Sequence, residues 1–246
     1  MDLNIHQPKA MILAAGLGTR LKPWTDHHPK ALVMVNGKSL IQRNIEYLQQ
    51  YGITDVVVNV HHFAQQIINT IEKNKGWGSH ITISHEIVEP LETGGGLLHA
   101  SPYLKDSTAV LLMNVDILTD FDLGSMLEFH FTKKPLATLA TTNRKSSRYF
   151  LFDNNDRLCG WRNTKTGEEK SASLLTGNEI AKAFSGIHVI DPGIFSLFTQ
   201  TGKFSIVDTY LELMKLNTIL SFDHSQSKFI DVGKPESVDK AVGMFK

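Results

Sequence analysis

The first residues able to do chemistry lie early in the chain. Gly16, Gly18, Arg20 and Lys30 follow the apolar run Ala10-Met-Ile-Leu13. Glycines let backbone N–H groups approach an anion, arginine offers a planar fork of donors, and lysine adds a compact charge. Spacing alone does not separate a phosphate-binding loop from a solvated loop with scattered cations. Two familiar nucleotide motifs fail here. A dinucleotide turn needs a third glycine where this chain has Leu21, and it needs an acid after the next strand, where Asn36-Gly-Lys-Ser39 stands instead. That tetrapeptide does not end a P-loop either, because the first glycine of such a loop falls at Leu32. It reads as a turn followed by a helix cap.

Two aspartates form a second group. Asn114-Val-Asp116 follows the apolar run Ala109–Met113, and Asp231-Val-Gly233 follows Lys228–Ile230. Open α/β sheets bind ligands beyond the C-terminal ends of their strands, and magnesium prefers hard oxygen donors completed by phosphate. These aspartates could meet across one crevice, or each could cap a helix or turn. A third segment, Glu89-Pro-Leu-Glu-Thr-Gly-Gly-Gly96, could expose N–H donors to a ligand or serve only as a flexible helix entry. The pairs His27-His28 and His61-His62 lack zinc-site spacing, and neither an HExxH motif nor a G-x-S-x-G elbow occurs. Arg144, Lys145 and Arg148 read as the solvated face of a hairpin, with a sugar-phosphate contact as the alternative.

The elements that must position these groups follow from periodicity. Strands are predicted at 9–14, 31–35, 56–60, 81–85 and 109–113. Helices are predicted from Leu40 to Gly52, over 63–71, and after Gly94. Strands alternating with helices imply an α/β fold, a Rossmann-like mixed but mostly parallel sheet flanked by helices. Shorter strands at 136–141, 148–152, 157–162 and 184–190 suggest a small β-rich insertion at roughly 136–190 within a single domain of residues 1–246. A helix over 207–216, a short strand at 228–230 and a terminal helix from Pro235 close the chain.

Twenty-five basic and 25 acidic residues cancel, which gives no broad electrostatic case for nucleic acid or an anionic membrane. No apolar window reaches the length of a membrane span. Cys159 is the single cysteine, which excludes an internal disulfide. With no signal-peptide pattern, the expected address is the cytoplasm, as a monomer or homodimer.

The run Leu13-Ala-Ala-Gly-Leu-Gly-Thr-Arg-Leu-Lys-Pro23, with Pro29-Lys30 and Ala31–Leu40 after it, closely resembles the opening of the sugar-1-phosphate nucleotidyltransferases. The resemblance implies transfer of a nucleotidyl group from a nucleoside triphosphate to a sugar 1-phosphate, with release of pyrophosphate. It implies nucleotide contacts from Ala14, Ala15, Gly16, Gly18, Thr19, Arg20 and Lys30, with Gly94, Gly95 and the weaker candidate Glu86 near the base and sugar. It implies sugar contacts from Glu92, Asn114 and Gly186. Asp116 and Asp231 are implied as ligands of Mg²⁺, and Arg20, Lys30 and Asp116 as the catalytic set. Val115 stands where many members have glycine or alanine, a change expected to narrow the pocket. The form Leu-Glu-Thr-Gly-Gly-Gly96 looks most like the N-acetylmuramate 1-phosphate uridylyltransferases, which makes UTP and N-acetylmuramic acid 1-phosphate the expected pair. The alternatives are a guanylyl- or cytidylyltransferase for another phosphate, such as that of mannose, heptose or choline, and a non-catalytic nucleotide-sugar sensor.

Overall fold

The computed structural model describes residues 7–171, 175 and 177–245. In chain order the strands and helices are β1 (Lys9–Leu13), β2 (Met34–Val35), β3 (Lys38–Ser39), α1 (Leu40–Gln49), β4 (Asp55–Val60), α2 (Ala64–Lys73) and β5 (His80–His85). They continue with α3 (Glu92–Leu104), β6 (Val110–Asn114), β7 (Ile117–Thr119), α4 (Leu123–Lys133), β8 (Ala137–Thr142), β9 (Arg148–Phe152) and β10 (Leu158–Asn163). The last elements are β11 (Glu169–Ser171), β12 (Ile180–Ile190), α5 (Ile206–Leu213), β13 (Ile219–Asp223), β14 (Phe229–Asp231) and α6 (Pro235–Met244).

β1 pairs in parallel with β4 and β6, β4 pairs in parallel with β5, and β13 with β8. β12 runs antiparallel between β6 and β8, so the sheet is mixed and mostly parallel, as the periodicity implies. Alternate residues of a strand face opposite sides, and a sheet covered on both faces must be apolar on both. Ala10 and Ile12 of β1 join one core with Val56 and Val58, under α1 and α2, while Met11 joins the other with Val57 and Leu112, under α3 and α5. Among the described residues no helix is long and apolar enough to cross a membrane.

Three departures from the periodicity have local causes. Residues 31–35 were expected as one extended piece. Instead Leu32 donates to the Pro29 carbonyl and Val33 to that of Lys30, which folds Lys30–Leu32 into a 3-10 turn and leaves only Met34–Val35 as strand. β12 reaches further back than residue 184, because its first residues leave the central sheet and pair with β9. β9, β10 and β11 thus continue the ten-stranded sheet beyond β12 as a small outlying sheet, β8 and the second half of β12 belong to its central part, and β2–β3 and β7–β14 pair separately. The pairing of β12 with β8 breaks register between Phe184 and His188, and Gly186 within that bulge holds φ +74°, which favours glycine.

Buried polar groups lock these layers. Ser39 caps α1 by accepting from the Gln42 N–H at 3.3 Å, and the helix buries Leu40, Ile41, Ile45 and Leu48. Asn44 sits on the same buried face and donates 2.8 Å to the Val115 carbonyl. His188 of β12 is 2.6 Å from the Tyr210 hydroxyl of α5, and His130 of α4 is 2.9 Å from the Thr138 hydroxyl of β8. Burial holds the pKa of His188 down to about 3, and those of His130 and His224 to about 4. The folded state therefore keeps these rings neutral while the unfolded chain protonates them below its ordinary value of about 6.5. Their stabilisation is complete above that pH and is lost as pH falls from about 6.5 towards 4, by up to about 1.4 kcal/mol per pH unit for each ring. The melting temperature should accordingly fall between pH 7 and pH 5, and His188→Gln should show a shallower decline across that interval.

Candidate functional site

The four parallel strands β1, β4, β5 and β6 end at one edge, and a cleft of about 350 Å³ opens there. The loop after β1 lines it with Ala15 and Gly16, and then with Arg20 and Lys30. Asn59 and Glu86 line it from the ends of β4 and β5. Glu92 and Thr93 come from the start of α3, and Asn114 and Asp116 from the end of β6. Asp231 completes the wall.

Asp116 and Asp231 are far apart in sequence and meet through a short antiparallel pairing. β14 pairs with β7 so that Asp231 stands opposite Ile117, and the Val232 N–H donates 2.8 Å to the Asp116 carbonyl. Two carboxylates on one wall repel each other. Burial first and the Asp116 charge second raise the pKa of Asp231, while Arg20 and Lys30 oppose the rise. The Lys30 ammonium is 2.8 Å from Asp116 Oδ2, and the Arg20 guanidinium is 3.7 Å from Asp231 Oδ2. The first pair is largely buried and the second is exposed, so the Lys30–Asp116 contact is the stronger structural constraint.

The opening loop owes its shape to packing. Leu21, where a dinucleotide turn would have glycine, is buried in the core beneath the loop. Gly18 takes φ +63°, and a Cβ there would come 2.9 Å from the Thr25 methyl, so the turn excludes a side chain. Thr25 in return donates 3.0 Å to the Gly18 carbonyl. Thr19 begins the exposed 3-10 turn that carries Arg20. Gly16 has open space around it. Ala14 is buried, and its N–H is given to Asn59 Oδ1 at 2.7 Å.

Asn59 is the residue that sequence reasoning missed. Its other side, Nδ2, donates 2.6 Å to Glu86 Oε1, while the Leu91 N–H donates 2.8 Å to Glu86 Oε2. One amide and one carboxylate thus tie the ends of β1 and β4 to the entry of α3. The signal available was a polar residue inside the apolar run Val56–Val60, where a buried amide has to find partners.

Gly94 and Gly95 are placed away from the cleft. Both N–H groups donate to the Phe204 carbonyl, at 3.0 and 3.2 Å. A Cβ at Gly94 would lie 2.5 Å from the Phe204 ring, and one at Gly95 only 2.1 Å from the Gly202 carbonyl oxygen. These glycines admit the 202–206 segment, and it is Glu92 and Thr93 that face the cleft. Gly96 faces the Asn59–Glu86 pair. Val115 was expected to narrow the pocket, but it is buried in the core and its side chain points away from the cleft wall. Alternation along the strand end accounts for this, since Asn114 and Asp116 face the cleft and Val115 cannot. Gly186 stands against Asn114: a Cβ there would be 2.6 Å from the Asn114 amide nitrogen.

With this geometry in view, comparison with known proteins is direct. A family model described as nucleotidyl transferase matches residues 9–242. The chain belongs to the nucleotidyl transferase family. A mannose-1-phosphate guanyltransferase of Yarrowia lipolytica is 31% identical over 231 residues, covering 93% of this chain and 61% of the relative. An N-acetylmuramate alpha-1-phosphate uridylyltransferase of Caulobacter vibrioides is 45% identical over 109 residues, covering 44% of this chain and 45% of the relative. The chain spans about three fifths of the length of the guanyltransferase relatives it matches. HddC from Yersinia pseudotuberculosis, solved in complex with GMP-PN, superposes with a TM-score of 0.79 at 24% identity, over 97% of this chain and 99% of that one. A putative glucose-1-phosphate thymidylyltransferase from Bacillus anthracis gives the same TM-score at 19% identity, over 96% of this chain and 94% of that one. At these identities the two structures establish the nucleotidyltransferase fold.

The site electrostatics make a prediction. Asp231→Asn removes one of two mutually repelling charges, so it should raise the melting temperature at pH 7 in metal-free buffer. Lys30→Met leaves Asp116 buried without its partner and should lower it, by the equivalent of about 3 kcal/mol. Thermal denaturation of both variants in EDTA checks the pair, and a fall for both would show that repulsion between the carboxylates is negligible.

Proposed function

We propose that this chain transfers a nucleotidyl group from a nucleoside triphosphate to a sugar 1-phosphate. The observation that carries the reading is the convergence of Asp116, Asp231, Lys30 and Arg20 on one wall of the cleft at the ends of β1, β4, β5 and β6. A sensor would have little use for two carboxylates held together against their own repulsion.

The donor set suits Mg²⁺. Among the described residues no group of three or more His, Cys, Asp or Glu side chains gathers as a metal cage. Two hard carboxylates with room beside them fit an ion whose remaining ligands are phosphate oxygens and water. Asp116 and Asp231 would hold it, and when bound it would supply charge neutralisation and orientation for the phosphates.

In the reaction, an oxygen of the sugar phosphate attacks the α-phosphorus. The new P–O bond forms as the bond from the α-phosphorus to the bridging oxygen breaks, and pyrophosphate departs with that electron pair. The nucleophile is already ionised, so no side chain has to remove a proton. The chain's work is alignment and charge. Arg20 and Lys30 neutralise the triphosphate, and the Asn59–Glu86 pair holds the β1 loop and the α3 entry at a fixed separation.

For the substrates, UTP and N-acetylmuramic acid 1-phosphate are the first reading, supported by the Leu-Glu-Thr-Gly-Gly-Gly96 segment and the partial uridylyltransferase relative. GTP and mannose 1-phosphate are the second, favoured by guanyltransferase relatives that align with nearly the whole chain.

Crossing UTP, GTP, CTP and dTTP with the 1-phosphates of N-acetylmuramic acid, mannose and N-acetylglucosamine, with Mg²⁺ present, tests the reading by release of pyrophosphate. One pair is expected to dominate, and Asp116→Ala should reduce its turnover about a hundredfold or more. Nucleotide binding without release across the whole panel would replace the enzyme by a sensor.

A further inference from the structure

Arg144 lies in the loop between β8 and β9 and was expected on a solvated hairpin face. The residue is exposed, as that reading expects, but its guanidinium lies over the Phe229 ring, 5.1 Å from the centroid, and one of its nitrogens donates 2.6 Å to the Phe184 carbonyl. Both anchors lead to the cleft. Phe229 and Asp231 are two residues apart on β14 and so share a face. Phe184 is two residues before Gly186, which abuts the Asn114 amide. The guanidinium is therefore held on the Asp231 side of the cleft, just outside the residues that line it. Burial lowers its pKa while the negative charge of Asp231 works in the opposite direction.

Two cations thus approach Asp231 from different parts of the fold. Arg20 comes from the loop after β1, and Arg144 from the start of the small sheet. We propose that Arg144 binds the phosphate of the sugar 1-phosphate, leaving Arg20 and Lys30 to the nucleoside triphosphate. The proposal rests on the transferase reading above and assigns the acceptor side of the same cleft.

The chemistry demands such a group. An anionic phosphate nucleophile has to approach a triphosphate across a wall that already carries two carboxylates, and each of those charges repels it. A cation on the acceptor side offsets that repulsion. Arginine suits the task because its fork can hold two phosphate oxygens, and the Phe184 carbonyl takes only one of its five N–H groups. Stacking on Phe229 fixes the guanidinium plane beforehand, which limits the entropy lost on binding.

The test uses the full chain in EDTA, where transfer cannot proceed. Calorimetric titration with mannose 1-phosphate, N-acetylglucosamine 1-phosphate, N-acetylmuramic acid 1-phosphate and inorganic phosphate is compared with titration by UTP and GTP, for wild type, Arg144→Gln and Arg144→Lys. Arg144→Gln is expected to weaken the best sugar 1-phosphate about ten- to a hundredfold, leave nucleotide affinity within about twofold, and keep the melting temperature. Arg144→Lys keeps the charge but not the fork, so it should recover part of the loss. The same selectivity should appear as a raised KM for the sugar 1-phosphate with an unchanged KM for the nucleotide.

Equal weakening of nucleotide and sugar phosphate, unchanged sugar phosphate affinity, or failure of the wild type to bind any sugar 1-phosphate would overturn the assignment. If Arg144→Gln does not fold, a selective loss in Arg144→Lys supports the assignment and its absence overturns it. Arg144-dependent binding without any pyrophosphate release would sink the catalytic reading alone. Release with a wild-type KM for the sugar phosphate in Arg144→Gln would sink this assignment alone.

Discussion

The pairing of β14 with β7 brings a residue near the end of the chain against one near its middle, and the site depends on that pairing. Without it Asp231 would have no fixed relation to Asp116. With it, the backbone bond from the Val232 N–H to the Asp116 carbonyl sets two carboxylates on one wall whatever their charges prefer. The surroundings can be understood as answers to that imposed repulsion. Lys30 neutralises the more buried carboxylate at close range, and Arg20 meets the more exposed one at longer range. α1 supports the same wall from below, through Asn44 on the Val115 carbonyl between Asn114 and Asp116.

Much of this was legible in the sequence where one physical rule acts alone. The central strands are short apolar runs between helices, and a sheet buried on both faces leaves few other readings. Gly16, Arg20, Lys30 and the two later aspartates line one cleft, but their spacing alone left a solvated loop equally open, and it was the longer resemblance that singled them out. What the sequence could not supply was how distant segments meet. The strand over 228–230 was visible, but its pairing with Ile117–Thr119 was not, because those three residues form too short a run to show any period.

The glycine cluster illustrates a different kind of difficulty. A glycine tolerates close approach by anything, whether a ligand or the protein itself, and composition does not say which. At Gly94 and Gly95 the approaching atoms belong to residues 202–206, more than a hundred positions away. Arg144 shows the reverse. A basic run before a hairpin reads as solvated, and only the placement of Phe229 and Phe184 shows that one of its members is held in place.

β12 has a mechanical consequence. It is a single strand of eleven residues that joins the central and outlying parts of one sheet, pairing with β9 at one end and with β6 and β8 at the other. A hydrogen-bonded strand resists stretching, so a tilt of the small sheet cannot be absorbed along its length. The regular pairing is interrupted at the bulge around Gly186, where the absence of a side chain leaves room for the Asn114 amide. A displacement of the outlying strands would thus be felt first at the amide at the mouth of the cleft.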